Sequence, residues 1–249
     1  MSKTASLEFS VLQWNVWFKE DPDNIVRLLR EQSPDIACLQ ELIINDRINT
    51  PQYIAEQLGY YCCFKEIPIE SSDGEKVVFA NGIFSRFPIQ HERWSWINEP
   101  QIGGGYSDEY RAYVEATLDM EGRAVTVGTT HSSYTHKFQS TPAKEAETDR
   151  LVTEIARHKA RYIFTSDLNA SPKSYTIHSI EKHLQNAGPA AAENTWTTKP
   201  FSYNGFHENA LRWRLDYVFA TPDLFVHSAE VVPTEFSDHL PLLVRFRSS

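Results

Sequence analysis

Apolar and polar residues alternate from Leu7 to Val16, the period of two that predicts a β-strand. Asp23 can then cap a helix with its apolar stripe at Ile25, Val26, Leu28 and Leu29, ending before Pro34. Ile36-Ala37-Cys38-Leu39 reads as a short buried strand that stops at Gln40-Glu41. Thr50-Pro51 opens a second helix and Gly59 closes it. Strands are expected near 60–65, 76–84, 111–119 and 123–130. Thr141-Pro142 begins a long helix carrying Leu151, Val152, Ile155 and Ala156 on one stripe. Arg161 to Ser166 is a strand running into Asp167, and Ser171-Pro172 starts a helix with Ile177, Ile180 and Leu184 at helical spacing. The last third predicts strands near 214–220, 225–231 and 241–247.

Strands outnumber helices and do not alternate with them strictly, which argues against a barrel or a doubly wound parallel sheet. Two packed, mainly antiparallel sheets flanked by helices accommodate the order better. No repeat, linker or low-complexity tract divides residues 1–249, so the chain is expected to be a single domain. Gly103-Gly104-Gly105 is a loop between strand-like stretches and not a boundary.

Composition narrows the function classes. The chain is 41% hydrophobic with a net charge of −9, so it lacks the overall basic balance of a protein that coats duplex nucleic acid. An acidic balance does suit a metal site. The three cysteines, Cys38, Cys62 and Cys63, have neither disulfide-framework nor zinc-ligand spacing, and reduced thiols predict an intracellular, cytoplasmic setting. The first residues lack the continuous apolar region of a signal peptide, and no apolar run has membrane-spanning length.

The chemistry is concentrated where apolar runs end. Gln13-Trp14-Asn15, Gln40-Glu41, Thr130-His131, Asp167-Leu168-Asn169, Arg214-Leu215-Asp216 and Ser237-Asp238-His239 each follow or open such a run. Polar groups at strand ends converge where neighbouring strands finish side by side, and Asp167 and Asn169, two apart, point to one face of an extended backbone. Glu41 and Asp238 supply carboxylates and Asn15 an amide oxygen, ligands for a hard divalent cation. Each has an innocent reading as well. Asn15 can be a turn residue, Glu41 a solvent boundary, Asp167-Leu168-Asn169 turn chemistry, His131 a structural imidazole, and Asp216 a partner of Arg212 or Arg214.

Taken in order with Gly82-Ile83-Phe84-Ser85-Arg86-Phe87-Pro88 and Asp216-Tyr217-Val218-Phe219, these motifs resemble those of the endonuclease/exonuclease/phosphatase superfamily over residues 11–246. The resemblance implies a four-layer α/β sandwich. It implies magnesium, with manganese as a substitute, on Glu41 and Asp238 with Asn15 in the same shell. It further implies His239 as the catalytic imidazole oriented by Asp216, Asp167 as the group that aligns or activates water, and Asn169 and His131 as donors to phosphate oxygens. Arg86 is expected either to pack at a strand end or to contact phosphate.

For the substrate, His131 and Thr130-His131-Ser132-Ser133 are similar to the branch that holds deoxyribonuclease I, deadenylases, sphingomyelinases and 5′-tyrosyl-DNA phosphodiesterases. Ser171 stands where the last of these carry an arginine. A phosphodiester, nucleic acid foremost, is the expected partner. The alternatives are a phosphatase or phosphodiesterase for a small-molecule or lipid phosphate, and an inactive binding relative. Trp196, Arg212 and Arg214 are expected at the substrate. Two loops are expected to set specificity, 91–110 with Trp94, Trp96 and Tyr106, and 195–213 with Trp196, Phe201, Tyr203, Phe206 and Trp213.

Overall fold

In this computed structural model the described residues are 7–68, 78–99 and 109–248. The first half runs β1 (Leu7–Asn15), α1 (Pro22–Gln32), β2 (Ile36–Ile44), α2 (Thr50–Leu58), β3 (Tyr61–Pro68), β4 (Val78–Ser85), β5 (Ile89–Asn98), β6 (Arg111–Met120) and β7 (Arg123–His131). The second half runs α3 (Pro142–Ile155), β8 (Tyr162–Asp167), α4 (Tyr175–Glu181), β9 (Gln185–Asn186), β10 (Phe201–Tyr203), β11 (Phe206–Glu208), β12 (Asp216–Ala220), β13 (Leu224–Val231) and β14 (Leu242–Ser248).

Local chemistry explains the boundaries. The N-cap of α1 is Asp21, not Asp23, because Pro22 fills the first helical turn and Asp21 accepts from the Asp23 N–H. Asn49 caps α2, and Gly59, at φ 66°, ends it in the left-handed conformation that glycine adopts without cost. α4 is shorter than expected: its cap is Ser174, and Ser171 to Ser174 form a turn closed by Ser174 N–H to Ser171 O. The expected loop 91–110 is also corrected. Residues 89–98 are β5, in which Trp94 and Trp96 pair with Val114 and Ala112 of β6. Tyr106 and Gly103-Gly104-Gly105 lie outside the described residues.

Two six-stranded sheets result, ordered β13-β14-β1-β2-β4-β3 and β5-β6-β7-β8-β12-β9. Within these sheets β1/β2 and β7/β8 are parallel, and the other pairs are antiparallel. Val11, Ile36, Cys38 and Ile83 of the first sheet meet Val114, Ala116, Val127, Ile163 and Val218 of the second in the central core. The outer face of the first sheet (Leu12, Trp14, Leu39, Phe84) lies under Ile25 and Leu29 of α1 and Ile54 of α2. The outer face of the second (Tyr113, Tyr162, Phe164, Phe219) lies under Leu151 and Ile155 of α3 and Ile177 and Ile180 of α4. This is the four-layer helix–sheet–sheet–helix sandwich. Burying each such Leu, Ile or Phe contributes about 1.5–3 kcal/mol.

The topology places the chemistry. Both parallel pairs sit mid-sheet; their C-terminal ends carry Asn15, His131 and Asp167, and Glu41 lies one residue past the last β1–β2 pair, Asn15 with Gln40. His131 is in register with Asp167, which is in turn opposite Asp216 at the start of β12.

Candidate active site

Along β1, Leu12, Trp14 and Val16 pack outward, so Gln13 and Asn15 face the second sheet. There the Asn15 amide donates to Asp167 Oδ2 and to Glu41 Oε1, both at 3.0 Å, tying the two sheets together. Its oxygen accepts the Trp17 N–H at 3.0 Å. The amide oxygen accepts this backbone N–H and keeps a second lone pair, while the amide nitrogen bridges the two carboxylates.

Glu41 reaches the site through a β-bulge. β2 pairs Leu39 with Gly82 and Leu42 with Ala80, so Gln40 and Glu41 together face the single residue Asn81. Leu39 and Leu42 lie in the same outer core, which strict alternation would forbid for residues three apart. With φ at 60°, Glu41 absorbs the extra residue, and its Oε2 accepts the Phe18 N–H at 3.2 Å. Gln40 points inward and joins Gln13 and Thr129 in a buried network.

His239 is held from both sides. Its Nδ1 lies 2.8 Å from Asp216 Oδ2 and its Nε2 3.6 Å from Asp167 Oδ2. The Gln13 amide donates to the other Asp216 oxygen at 3.4 Å. The segment carrying His239 is pinned by the Trp14 indole on its carbonyl, by Ser237 Oγ on its N–H, and by a bridge to Trp196. Burial disfavours a charged imidazole, yet Asp216, Asp167 and Asp238 together hold the His239 pKa well above its ordinary value. Asp167 moves up to about 6, through burial first and then Asp216, against the opposing pull of His239, Asn15 and the Asn169 N–H.

His131 Nε2 stands 3.1 Å from Asn169 Nδ2 and 3.4 Å from Asp167 Oδ2. Burial, then the positive charges of Arg111, His239 and Lys144, push its pKa well below the usual value, so the ring is neutral at pH 7. Asn169 takes φ 46°, and its N–H donates to Asp167 Oδ1 at 2.9 Å. Its amide hydrogens face His131 and Ser132 O, so donation to a phosphate oxygen requires that amide to turn.

The donor set fits a hard divalent cation. Asp238 Oδ1 is a buried acceptor without a hydrogen-bond partner among the described residues. Glu41 is pushed up to about 7, by burial first and then by the charge of Asp238, the mutual repulsion that a shared cation would relieve. A second grouping, Asp167, Asp216 and His239, brings potential ligand atoms within 4.8 Å of one another. Its imidazole and one Asp216 oxygen are already committed to each other. Glu41 and Asp238 are carboxylates that could hold a metal here.

Two of the expected substrate residues sit elsewhere than anticipated. Trp196 is 4% exposed, packed with Phe138, Phe206 and Leu215, and its indole donates to Asp238 Oδ2 at 3.1 Å. It presents no open stacking face. Arg214, 2% exposed, donates to the carbonyls of Asp216, Ala190, Glu193 and Pro189. That binds the 189–193 turn to the sheet and leaves no guanidinium for a phosphate. Arg212 remains at the surface, 68% exposed at its side chain and 4.0 Å from Glu208. Arg86 takes the packing role, binding Tyr60 Oη, Asp35 and Ser33. Of the loop 195–213, Phe201 to Tyr203 and Phe206 to Glu208 form the β10–β11 hairpin, and Phe201, Phe206 and Trp213 join the Trp196 cluster.

Sequence reasoning missed Trp17 and Phe18, whose backbone N–H groups donate to Asn15 Oδ1 and Glu41 Oε2, and Lys19 beside them. An aromatic pair one residue after the Gln-Trp-Asn motif was the available signal.

Comparison with known proteins agrees with this geometry. The model of the Endonuclease/Exonuclease/phosphatase family matches residues 12–239. No curated protein matches the chain. Among solved structures, an endonuclease/exonuclease/phosphatase from Beutenbergia cavernae superposes with a TM-score of 0.76 at 20% identity, over 97% of this chain and 72% of that one. The human Nocturnin catalytic domain, with a bound sulfate anion, gives 0.72 at 19% identity over 98% and 97%. A humanized D. rerio TDP2 gives 0.69 at 16% identity over 96% and 98%. At such identities these structures speak for the fold alone, whereas the family match spans the strand-end motifs from Gln13 to His239. The chain belongs to the Endonuclease/Exonuclease/phosphatase family.

Proposed function

We propose that this chain is a divalent-cation-dependent phosphodiesterase, with nucleic acid as its leading substrate class. The observation that carries the reading is the pinning of His239 between two buried aspartates, Asp216 at 2.8 Å on Nδ1 and Asp167 at 3.6 Å from Nε2. Asp216 sets the tautomer and sustains the imidazolium, which leaves Nε2–H as a donor toward charge developing on a phosphoryl oxygen. Asp167, raised to about 6, is basic enough to take a proton from water, and Asn15 and the Asn169 N–H fix its direction. Neutral His131 keeps one ring N–H, which with a turned Asn169 amide adds donors on the same side. Magnesium, or manganese in its place, held by Glu41 and Asp238, would supply charge neutralisation at the phosphate.

A second reading is a monoester phosphatase of a small or lipid phosphate. It is favoured by the internal commitment of Arg214, which removes an expected contact to a longer phosphate backbone. No residue of the expected constellation is missing, which speaks against an inactive binding protein.

The test is turnover of bis-p-nitrophenyl phosphate, p-nitrophenyl phosphate, single- and double-stranded oligonucleotides and 5′-tyrosyl DNA with magnesium. Diester turnover, lost on chelation and in H239A, is expected. Turnover of monoesters alone would favour the second reading, and full activity without magnesium or in E41Q would overturn the site.

A further inference from the structure

Trp17, Phe18 and Lys19 form the corner between β1 and α1, and the chemistry described above does not use their side chains. Trp17 has φ 63°, a left-handed conformation that bulky residues hold only when their surroundings impose it. Here two groups of the site impose it, Asn15 Oδ1 on the Trp17 N–H and Glu41 Oε2 on the Phe18 N–H. The corner is therefore built onto the site. Its consequence is that Phe18, with its N–H on Glu41, is 40% exposed and backed by Phe79 with ring centroids 5.6 Å apart. Lys19 Nζ sits 5.3 Å from the Phe18 centroid and 5.5 Å from that of Trp17. Such an exposed cation–ring contact is weak, so an incoming ring can displace the flexible lysine.

We infer that Phe18, backed by Phe79, is a stacking subsite for a flat aromatic ring carried by the phosphate group that binds at Glu41. The ring is a nucleobase or a phenyl-type leaving group, since both present the same π-face. The inference rests on the phosphoester reading for the placement of the phosphate, and it names the group that flanks it. Neither Trp196 nor Arg214 competes for the role, because both are spent inside the fold.

The test is calorimetric binding of three phosphonates to the magnesium-loaded protein: methylphosphonate, benzylphosphonate and the 5′-methylenephosphonate analogue of AMP. None contains a hydrolysable ester, so binding is read without turnover. The wild type should hold the ring-bearing ligands about tenfold more tightly than methylphosphonate. Phe18→Leu, which keeps the apolar contact with Phe79, should erase that preference, and Phe18→Trp should retain it. The larger gain, benzyl or adenine, identifies the source of the ring. Equal affinities in the wild type, or a preference unchanged in Phe18→Leu, would overturn the subsite. A Phe18-dependent preference in a protein that cleaves no phosphoester would leave the subsite standing and remove only the hydrolase reading.

Discussion

The indole N–H of Trp196 donates to Oδ2 of Asp238 at 3.1 Å, and Oδ1 of the same carboxylate is buried without a partner among the described residues. A tryptophan from the β9–β10 connection thereby aims the free oxygen of an aspartate more than forty residues away in sequence.

Replacing that donor should therefore weaken the cation and not the fold. Trp196→Phe keeps the aromatic cluster with Phe138 and Phe206 but loses the hydrogen bond. Partners that orient metal ligands are worth about 10–100-fold in affinity or activity. The magnesium concentration for half-maximal activity should rise by about that factor, with activity restored at saturating magnesium. An unchanged magnesium dependence would remove the role assigned to Trp196.

Glu41 makes a prediction of opposite sign for stability. Burial and Asp238 raise its folded pKa to about 7 from an ordinary 4.5. A carboxyl with a raised folded pKa stabilises the fold least when ionised, so metal-free protein should lose stability as pH rises from about 4.5 through about 7. Glu41→Gln should remove that loss. At pH 8 without metal the variant should melt roughly 2–4 °C above the wild type, while lacking activity and the stabilisation that magnesium gives. Parallel melting curves of the two proteins across this pH range would contradict the repulsion.

Arg214 and Arg212 are separated by one residue and should behave as opposites. Arg214→Met strands the carbonyls of Pro189, Ala190 and Glu193 and should cost about 2–3 kcal/mol. Arg212→Met, at the surface, should change stability by less than about 0.5 kcal/mol and raise KM if it meets the substrate. Chemical denaturation with kinetics on the same samples measures both.

Glu115 should govern acid stability away from the site. Against the effect of burial, hydrogen bonds from His158 Nε2 at 2.8 Å, Arg93 Nε at 2.9 Å and Tyr113 Oη at 2.5 Å lower its pKa to about 2. Its contribution is full above the unfolded value of about 4.5 and disappears as pH falls toward 2. Denaturation at stepped pH should show this loss in the wild type, with a shallower dependence in Glu115→Gln.

The order of strands and helices was legible in the sequence because periods of two and 3.6 depend only on neighbouring residues. The polar residues closing the apolar runs marked the site for the same reason: Asn15, His131 and Asp167 end strands, and Glu41 follows the run Ile36 to Leu39, after which β2 continues to Ile44. The start of α4 at Ser174 and strand β5 were not legible. The Ser-Pro signal marks a turn as well as a helix, and the alternation in β5 mixes large aromatics with charges on an edge strand.

What only the tertiary structure decided is direction. The alternation of β2 would send Glu41 to the outer face, and a bulge opposite Asn81 turns it to the site. Trp196 and Arg214 look from the sequence like tools for a substrate, and their contacts with Asp238 and the 189–193 turn make them supports. Phe18 looks like an ordinary loop aromatic, until Glu41 holds its backbone N–H and Asn15 that of Trp17. The sequence determined which groups are available and at which strand ends they lie. Which way each one points depended on partners far along the chain, and that information exists only once the two sheets have packed.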